Sequence, residues 1–436
     1  MSIEQKHMLS ATERRFKKYV DRLASVLGHV DRVAPFRLYT TGLLLPGDRK
    51  SVEPMAARLV PERVRAAHQS LHHLVAQAEW SDRAVLSEVY EAVLPAIERH
   101  GPIRAWIVDD TGIPKKGSHS VGVAHQYCGN LGKQANCQVA VTLSIANAFA
   151  SLPIAHQLYL PEEWTKSKVR RAKAGVPRGV RFATKPQITL EQIRAALAAD
   201  VVPGVIVADA AYGNNTVFRD EVTKMGLQYI VSVQSNTTIW RPGEAPLPPR
   251  KRKGPGRRAT LLRRTVRHAP VSMEELAAQL PPSAFRTVTW REGTAAALQS
   301  RFAAVRVRPA HLDTLRSTAR EEEWLLIEWP KGEEKPRKYW LSTLPPSATL
   351  HELVEMAQSR WRIERDYQEL KDELGLDHYE GRSWRGFHHH ATLCIAAYGF
   401  LIAERGAFPP GKDIRSAFRQ SPLPDGYRPR GAARAS

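Results

Sequence analysis

Residues 204–213 read GVIVADAAYG, and Gly204–Ala208 predicts an apolar strand that stops at Asp209. A helix is expected around Thr216–Met225 and a further strand at Tyr229–Val233. Apolar runs of this kind alternating with helical stretches make an α/β unit, and an acid just past the C-terminal end of such a strand faces a crevice rather than the core. The same pattern occurs upstream. Ile103–Val108 is apolar and stops at Asp109-Asp110-Thr111-Gly112, Gln138–Ile145 (QVAVTLSI) predicts another strand, and Leu190–Ala198 predicts a helix. The expectation is an α/β core around a mixed sheet. Taken singly, Asp110 and Asp209 read as ordinary helix caps or turn formers.

A third acid changes that reading. Leu350–Leu374 (LHELVEMAQSRWRIERDYQELKDEL) predicts one long amphipathic helix. At about 100° per residue, Leu350, Leu353, Ala357, Trp361 and Tyr367 fall within about 60° of Glu364. A carboxylate inside an apolar stripe is costly unless a cation, a proton or a metal meets it. Arg360 and Lys371 are expected on the same face, so a salt bridge into the core is the plain account. Two strand-end aspartates supply another, in which the three acids converge on one crevice. Three carboxylates together repel unless a hard divalent cation neutralises them, and oxygen-only ligands suit Mg²⁺ or Mn²⁺. Two such ions about 4 Å apart can activate a water or hydroxyl and stabilise the leaving oxygen of a phosphodiester.

The bulk composition points the same way. The chain has 436 residues, 43% of them hydrophobic and 25% charged, which allows two or three domains and a sizeable core. Its net charge of +20 favours a polyanionic partner, most often nucleic acid, through counterion release. No apolar run reaches the roughly 18 residues of a spanning helix, and the N-terminus lacks the apolar segment of a signal peptide. Cys128, Cys137 and Cys394 are too few and too scattered for a disulfide framework or a zinc finger, so a cytoplasmic location is expected.

Along the chain, residues 1–100 predict a helical domain (Thr12–Val26, Pro61–Glu79 and Asp82–His100 among its helices) whose basic faces could lie on DNA. Residues 101–235 form the first part of the core. Residues 236–335 open with a stretch rich in Pro, Gly, Lys and Arg, in which Arg250, Lys251, Arg252, Lys253, Arg257 and Arg258 are expected to touch phosphates from an extended arm. Strands return at Phe285–Trp290, Phe302–Val307, Glu323–Trp329 and Tyr339–Thr343. Residues 336–405 complete the core with the glutamate helix and an apolar helix near Leu393–Ala403, and 406–436 are a tail.

Asp110-Thr111 after a strand, Asp209 after Val-Ile-Val-Ala, and Arg360-Trp361-Arg362-Ile363-Glu364 resemble the Asp-Asp-Glu transposases of bacterial insertion sequences. The resemblance covers roughly residues 100–400 and is to the subgroup with a Tyr-x2-Arg-x3-Glu-x6-Lys motif. Arg360, Glu364 and Lys371 match its spacing, whereas Ala357 stands in the tyrosine position. It implies a ribonuclease-H-like fold with a mostly β insertion between the second aspartate and the glutamate. It further implies that Asp110, Asp209 and Glu364 hold two Mg²⁺ ions, with Mn²⁺ as substitute, and that Arg360 and Lys371 contact phosphates of double-stranded DNA. A homodimer bridging two DNA ends is also implied. Adjacent strand residues point to opposite faces, so only one of Asp109 and Asp110 should reach a metal. The resemblance selects Asp110, because the family places a threonine directly after its aspartate.

The reaction implied is hydrolysis at the element's ends followed by attack of the freed 3′-hydroxyl on target DNA. The alternative is a DNA-binding derivative of such an enzyme with its chemistry lost; a glycoside hydrolase with paired acids would leave the basic charge unexplained. The Gly-x4-Gly-Lys-[Ser/Thr] pattern is absent near Lys115-Lys116, so no nucleotide cofactor is expected. His388-His389-His390 cannot share one ion if helical, and packing or DNA contact is the expectation.

Overall fold

The computed structural model describes residues 10–250, 259–291 and 298–408. Five helices come first: α1 (Ala11–Ala24), α2 (Val33–Leu44), α3 (Val52–Leu59), α4 (Val64–Ala76) and α5 (Asp82–Glu98). Two of them begin on serine caps. Ser10 Oγ accepts from Glu13 N in a full capping box, and Ser81 Oγ accepts from Ala84 N.

The core opens with β1 (Ala105–Pro114), β2 (Ala124–Cys128), β3 (Lys133–Ala146) and β4 (Ser151–Leu158). Helices α6 (Glu162–Lys166), α7 (Lys168–Lys173) and α8 (Lys185–Ala198) lead to β5 (Val205–Ala208), α9 (Ala210–Gly213), α10 (Thr216–Lys224) and β6 (Tyr229–Val233). In the sheet, β1 lies between β3, antiparallel, and β5, parallel; β4 pairs antiparallel with β3, and β6 parallel with β5. This mixed α/β arrangement is consistent with a ribonuclease-H-like fold. β5 is apolar throughout because parallel strands are covered on both faces.

Beyond β6 come β7 (Thr238–Trp240), β8 (Val271–Ser272), α11 (Met273–Gln279), β9 (Arg286–Arg291), β10 (Leu298–Pro309), β11 (Glu323–Glu328) and β12 (Lys338–Ser342). These strands extend the same sheet. β12 pairs antiparallel with β6, β11 with β12, and β10 with β11, so the order runs β2-β3-β1-β5-β6-β12-β11-β10-β7-β8. The described residues on either side of 251–258 are tied to the rest of the fold. Leu247 and Arg263 exchange backbone hydrogen bonds at 2.9 and 3.0 Å, and Arg264 pairs with the buried Asp313 at 2.6 Å.

The glutamate region is not one continuous helix. It divides into α12 (Leu350–Gln358), α13 (Trp361–Gln368) and a π-turn at Glu369–Glu373. Ser359 marks the first break, where its hydroxyl donates back to Met356 O at 2.7 Å. The last helix, α14 (Trp384–Ala407), is buried without interruption from Gly386 to Phe400. A helix apolar all round belongs in a core, and α14 packs against α5, α2 and α4 as well as β4. The three histidines lie on it, buried. His389 stacks on Trp80 with ring centroids 3.7 Å apart, and His390 shares a 2.8 Å hydrogen bond with the Tyr39 hydroxyl. Among the described residues no helix is long and apolar enough to cross a membrane.

Candidate active site

The crevice follows from the unequal lengths of β1 and β5. The two strands pair in parallel from Ala105↔Val205 to Ile107↔Val207, after which β5 ends at Ala208 and the chain turns at Asp209. β1 does not stop with it. The expected strand end at Val108 is overridden because β3 pairs with β1 as far as Pro114↔Cys137, so Asp109 and Asp110 lie within the strand. One edge of β1 is therefore opened at the level of Asp109. Two close approaches fix this geometry. A Cβ on Gly204 would meet the backbone of Ala105 at 2.7 Å, and one on Gly213, at the end of α9, would lie 1.9 Å from Ser232 O on β6.

The two neighbouring aspartates have different surroundings. Asp109 is buried and its Oδ2 accepts from Arg360 Nη1 at 2.7 Å, while the same guanidinium gives Nη2 to Glu364 Oε1 at 2.7 Å. Burial pushes the Asp109 carboxyl up to about 7, with Asp209 adding to the rise and Arg360 opposing it. Asp209 caps α9 by accepting from Ala211 N at 2.9 Å. Burial raises it too, against Arg360, and the charge of Asp110 adds to the rise. Asp110 is instead ion-paired with Lys185, the first residue of α8. Beside Asp109, Thr142 is its partner on β3 and shares a 2.6 Å hydrogen bond with the buried Tyr367 hydroxyl of α13.

A protein-family model described as "DDE superfamily endonuclease" matches residues 22–297, more than half of the chain. The chain belongs to this family. The matched span includes Asp109, Asp110 and Asp209 and ends before α13. The chain is also 31% identical over 169 residues to a protein of Microchaete diplosiphon described as "Probable transposase for insertion sequence element IS701". That likeness covers 38% of this chain and 41% of the relative's length, so the chain spans less than half of the relative it matches.

Within this endonuclease-family chain, the residues expected at the site are distributed as follows. Arg360 bridges Asp109 and Glu364 and feels the charge of Asp209, whereas Asp110, which the sequence reading selected, pairs with Lys185 and acts by its charge on Asp209. The reason is strand alternation: the residue opposite Thr142 faces α13, and its neighbour faces Lys185 at the start of α8. Glu364 is not inside an apolar stripe, since 63% of its side chain is exposed. Ile363, Asp366 and Tyr367 form the buried face of α13 instead. Lys371 is buried within the π-turn, where its Nζ donates to Gly112 O at 3.0 Å. Arg250 is exposed, and Lys251, Arg252, Lys253, Arg257 and Arg258 lie outside the described residues.

Sequence reasoning missed Lys185 and Tyr212. Lys185 is signalled only by its place at a helix start, too weak a cue to pair it with an acid 75 residues away. Tyr212 is buried, and among the described residues its hydroxyl has no hydrogen-bond partner, although the charges of Asp110 and Asp109 reach it.

Asp109, Asp209 and Glu364 offer oxygen donors, the type that suits a hard divalent cation. Asp109 and Asp209 are both raised, first by burial and then by a neighbouring carboxylate, with Arg360 opposing the rise. As the side chains stand, no three His, Cys, Asp or Glu among the described residues are grouped tightly enough to hold a metal ion. The guanidinium of Arg360 stands between Asp109 and Glu364.

Proposed function

We propose that this chain is a DNA transposase of an insertion sequence, acting by hydrolysis at the element's ends and transfer of the freed 3′-hydroxyl into target DNA. The reading is carried by one observation: Asp109 and Asp209 flank the opening between β1 and β5, with Glu364 tied to Asp109 through Arg360. Membership of the endonuclease family, the partial likeness to an insertion-sequence transposase and the net charge of +20 support it.

Asp109, Asp209 and Glu364 would hold Mg²⁺, or Mn²⁺ in its place, and by the family's pattern two ions. Bound there, the metal would supply a Lewis acid that activates the attacking oxygen and offsets charge on the scissile phosphate. The remaining work belongs to the protein. Asp209 is fixed by its cap on α9, Thr142 and Tyr367 buttress the wall beneath Asp109, and Glu364 reaches in from the exposed side of α13. Arg360 is suited to a phosphate because its planar fork binds such groups through two hydrogen bonds. The partner is double-stranded DNA, and a dimer would bring two ends together.

The test is cleavage of DNA carrying the element's ends, with Mg²⁺ or Mn²⁺, by the wild type and by Glu364→Gln. Metal-dependent nicking at the ends that Glu364→Gln abolishes while binding persists supports the reading. Binding without cleavage by the wild type would instead identify an inactive derivative.

A further inference from the structure

We propose that Arg360 is a built-in counter-cation that keeps the carboxylate cluster from taking up metal until a DNA phosphate draws its guanidinium away. This rests on the metal-site reading of Asp109, Asp209 and Glu364, and it assigns Arg360 a positioning role in coupling DNA binding to metal loading.

One side chain serves both acids. Nη1 and Nη2 of Arg360 lie 2.7 Å from Asp109 Oδ2 and Glu364 Oε1, and Asp209 is close enough for its charge to be felt by the same guanidinium. An arginine remains charged at any working pH, so it cannot leave by losing a proton. A divalent ion binding the same oxygens would meet like charge at contact range, and one of the two must move.

The local structure favours movement by the arginine. Arg360 occupies the joint between α12 and α13, makes no side-chain cap there, and keeps 28% of its side chain exposed. Asp366, two residues beyond Glu364, is different. It is buried and held by the hydroxyls of Ser151 at 2.5 Å and Tyr398 at 2.7 Å, partners that are built in and permanent. The acids of the crevice are instead neutralised by a partner that phosphate can compete for, since a guanidinium binds phosphate and carboxylate with the same fork. The exchange is one of ion pairs only: the guanidinium passes from carboxylate to phosphate, and the carboxylates pass to the metal.

The experiment is a Mn²⁺ titration followed by electron paramagnetic resonance on the full chain, with and without a short mixed-sequence DNA duplex. Wild type, Arg360→Gln, Arg360→Lys and Asp209→Asn are compared, with circular dichroism to verify folding. Without DNA, Arg360→Gln is expected to bind Mn²⁺ about tenfold more tightly than wild type. The duplex should tighten Mn²⁺ binding by the wild type and change Arg360→Gln little. If Arg360→Gln does not fold, Arg360→Lys, which keeps one charge but loses the fork, should lie above the wild type without DNA. Affinity equal to or below the wild type in the folded variant overturns the proposal. If Asp209→Asn abolishes Mn²⁺ binding while the Arg360 variants match the wild type, only this proposal falls. If Mn²⁺ binding is absent from every variant both with and without the duplex, or is indifferent to Asp209→Asn, the metal-site reading falls with it.

Discussion

Asp109 lies under Arg360 and beside Asp209, with 9% of its side chain exposed, while Asp110 spends its charge on Lys185. Asp109→Asn and Asp209→Asn are therefore expected to lower metal-dependent end cleavage by at least about 10³-fold, comparable to removing a directly acting charge, whereas Asp110→Asn should retain it within about tenfold. Single-turnover cleavage by the three variants decides between the aspartates. The sequence narrowed the choice to adjacent residues but not further, because alternation says that they face apart and not which face is the crevice. The register with β3 sets Asp109 opposite Thr142 and leaves Asp110 against Lys185, which is the ground for proposing Asp109. A second acid, Asp366 on α13, was not singled out from the sequence because its hydroxyl partners Ser151 and Tyr398 are distant in the chain. Asp366 is buried and pushed up to about 7 by that burial, its hydroxyl partners only partly opposing the rise. Its folded-state value lies above the unfolded one of about 3.9, so its stabilising contribution is complete below about pH 4 and is lost as pH rises through about 7. Asp366→Asn, uncharged throughout, should therefore lose stability less steeply than wild type between about pH 5 and pH 8, by at most about 4 kcal/mol. Melting temperatures of the pair across that range check it.

The glutamate segment shows what periodicity can and cannot deliver. Its amphipathic pattern correctly announced helix, and Arg360 and Glu364, one turn apart, do meet. A uniform 100° wheel nevertheless misplaced both ends of the motif, because Ser359 breaks α12 from α13 and the π-turn changes the pitch before Lys371. Such breaks arise from side-chain-to-backbone bonds and tertiary packing, which a wheel does not contain. Lys371→Met follows as a test at this scale. Leaving Gly112 O without its buried donor should cost about 1–3 kcal/mol in urea unfolding, while the salt dependence of DNA binding stays that of the wild type. A reduced salt slope would instead return Lys371 to the DNA. Strands were more legible than helix breaks. Tyr229–Val233 was read to the residue, and β9 to β12 were each located within a few positions. β1, like β3 and β10, was read too short, since Asp-Asp-Thr-Gly has the composition of a turn and only pairing with β3 makes it strand.

For the whole molecule, the expected sequence of helices, core strands, later strands and final helices is present, but its parts are joined more closely than domain boundaries drawn on a sequence suggest. α14 comes from the end of the described chain and is sheathed by α2, α4 and α5 from its beginning. Deleting residues 1–100 should therefore expose the apolar surface of α14 and yield aggregated protein in size-exclusion chromatography rather than a folded core. The later strands are likewise added to β6 through β12 and not packed as a separate lobe. Among the described residues a hydrogen-bonded order of strands runs from β2 to β8, joined at its far end by two residue pairs between β10 and β7. For the proposed DNA partner, the crevice and the outermost strands would then be presented on one connected sheet, with adaptation left to side chains and to the segments around it. The molecule would measure its substrate as a ruler does, rather than closing on it as a hand does.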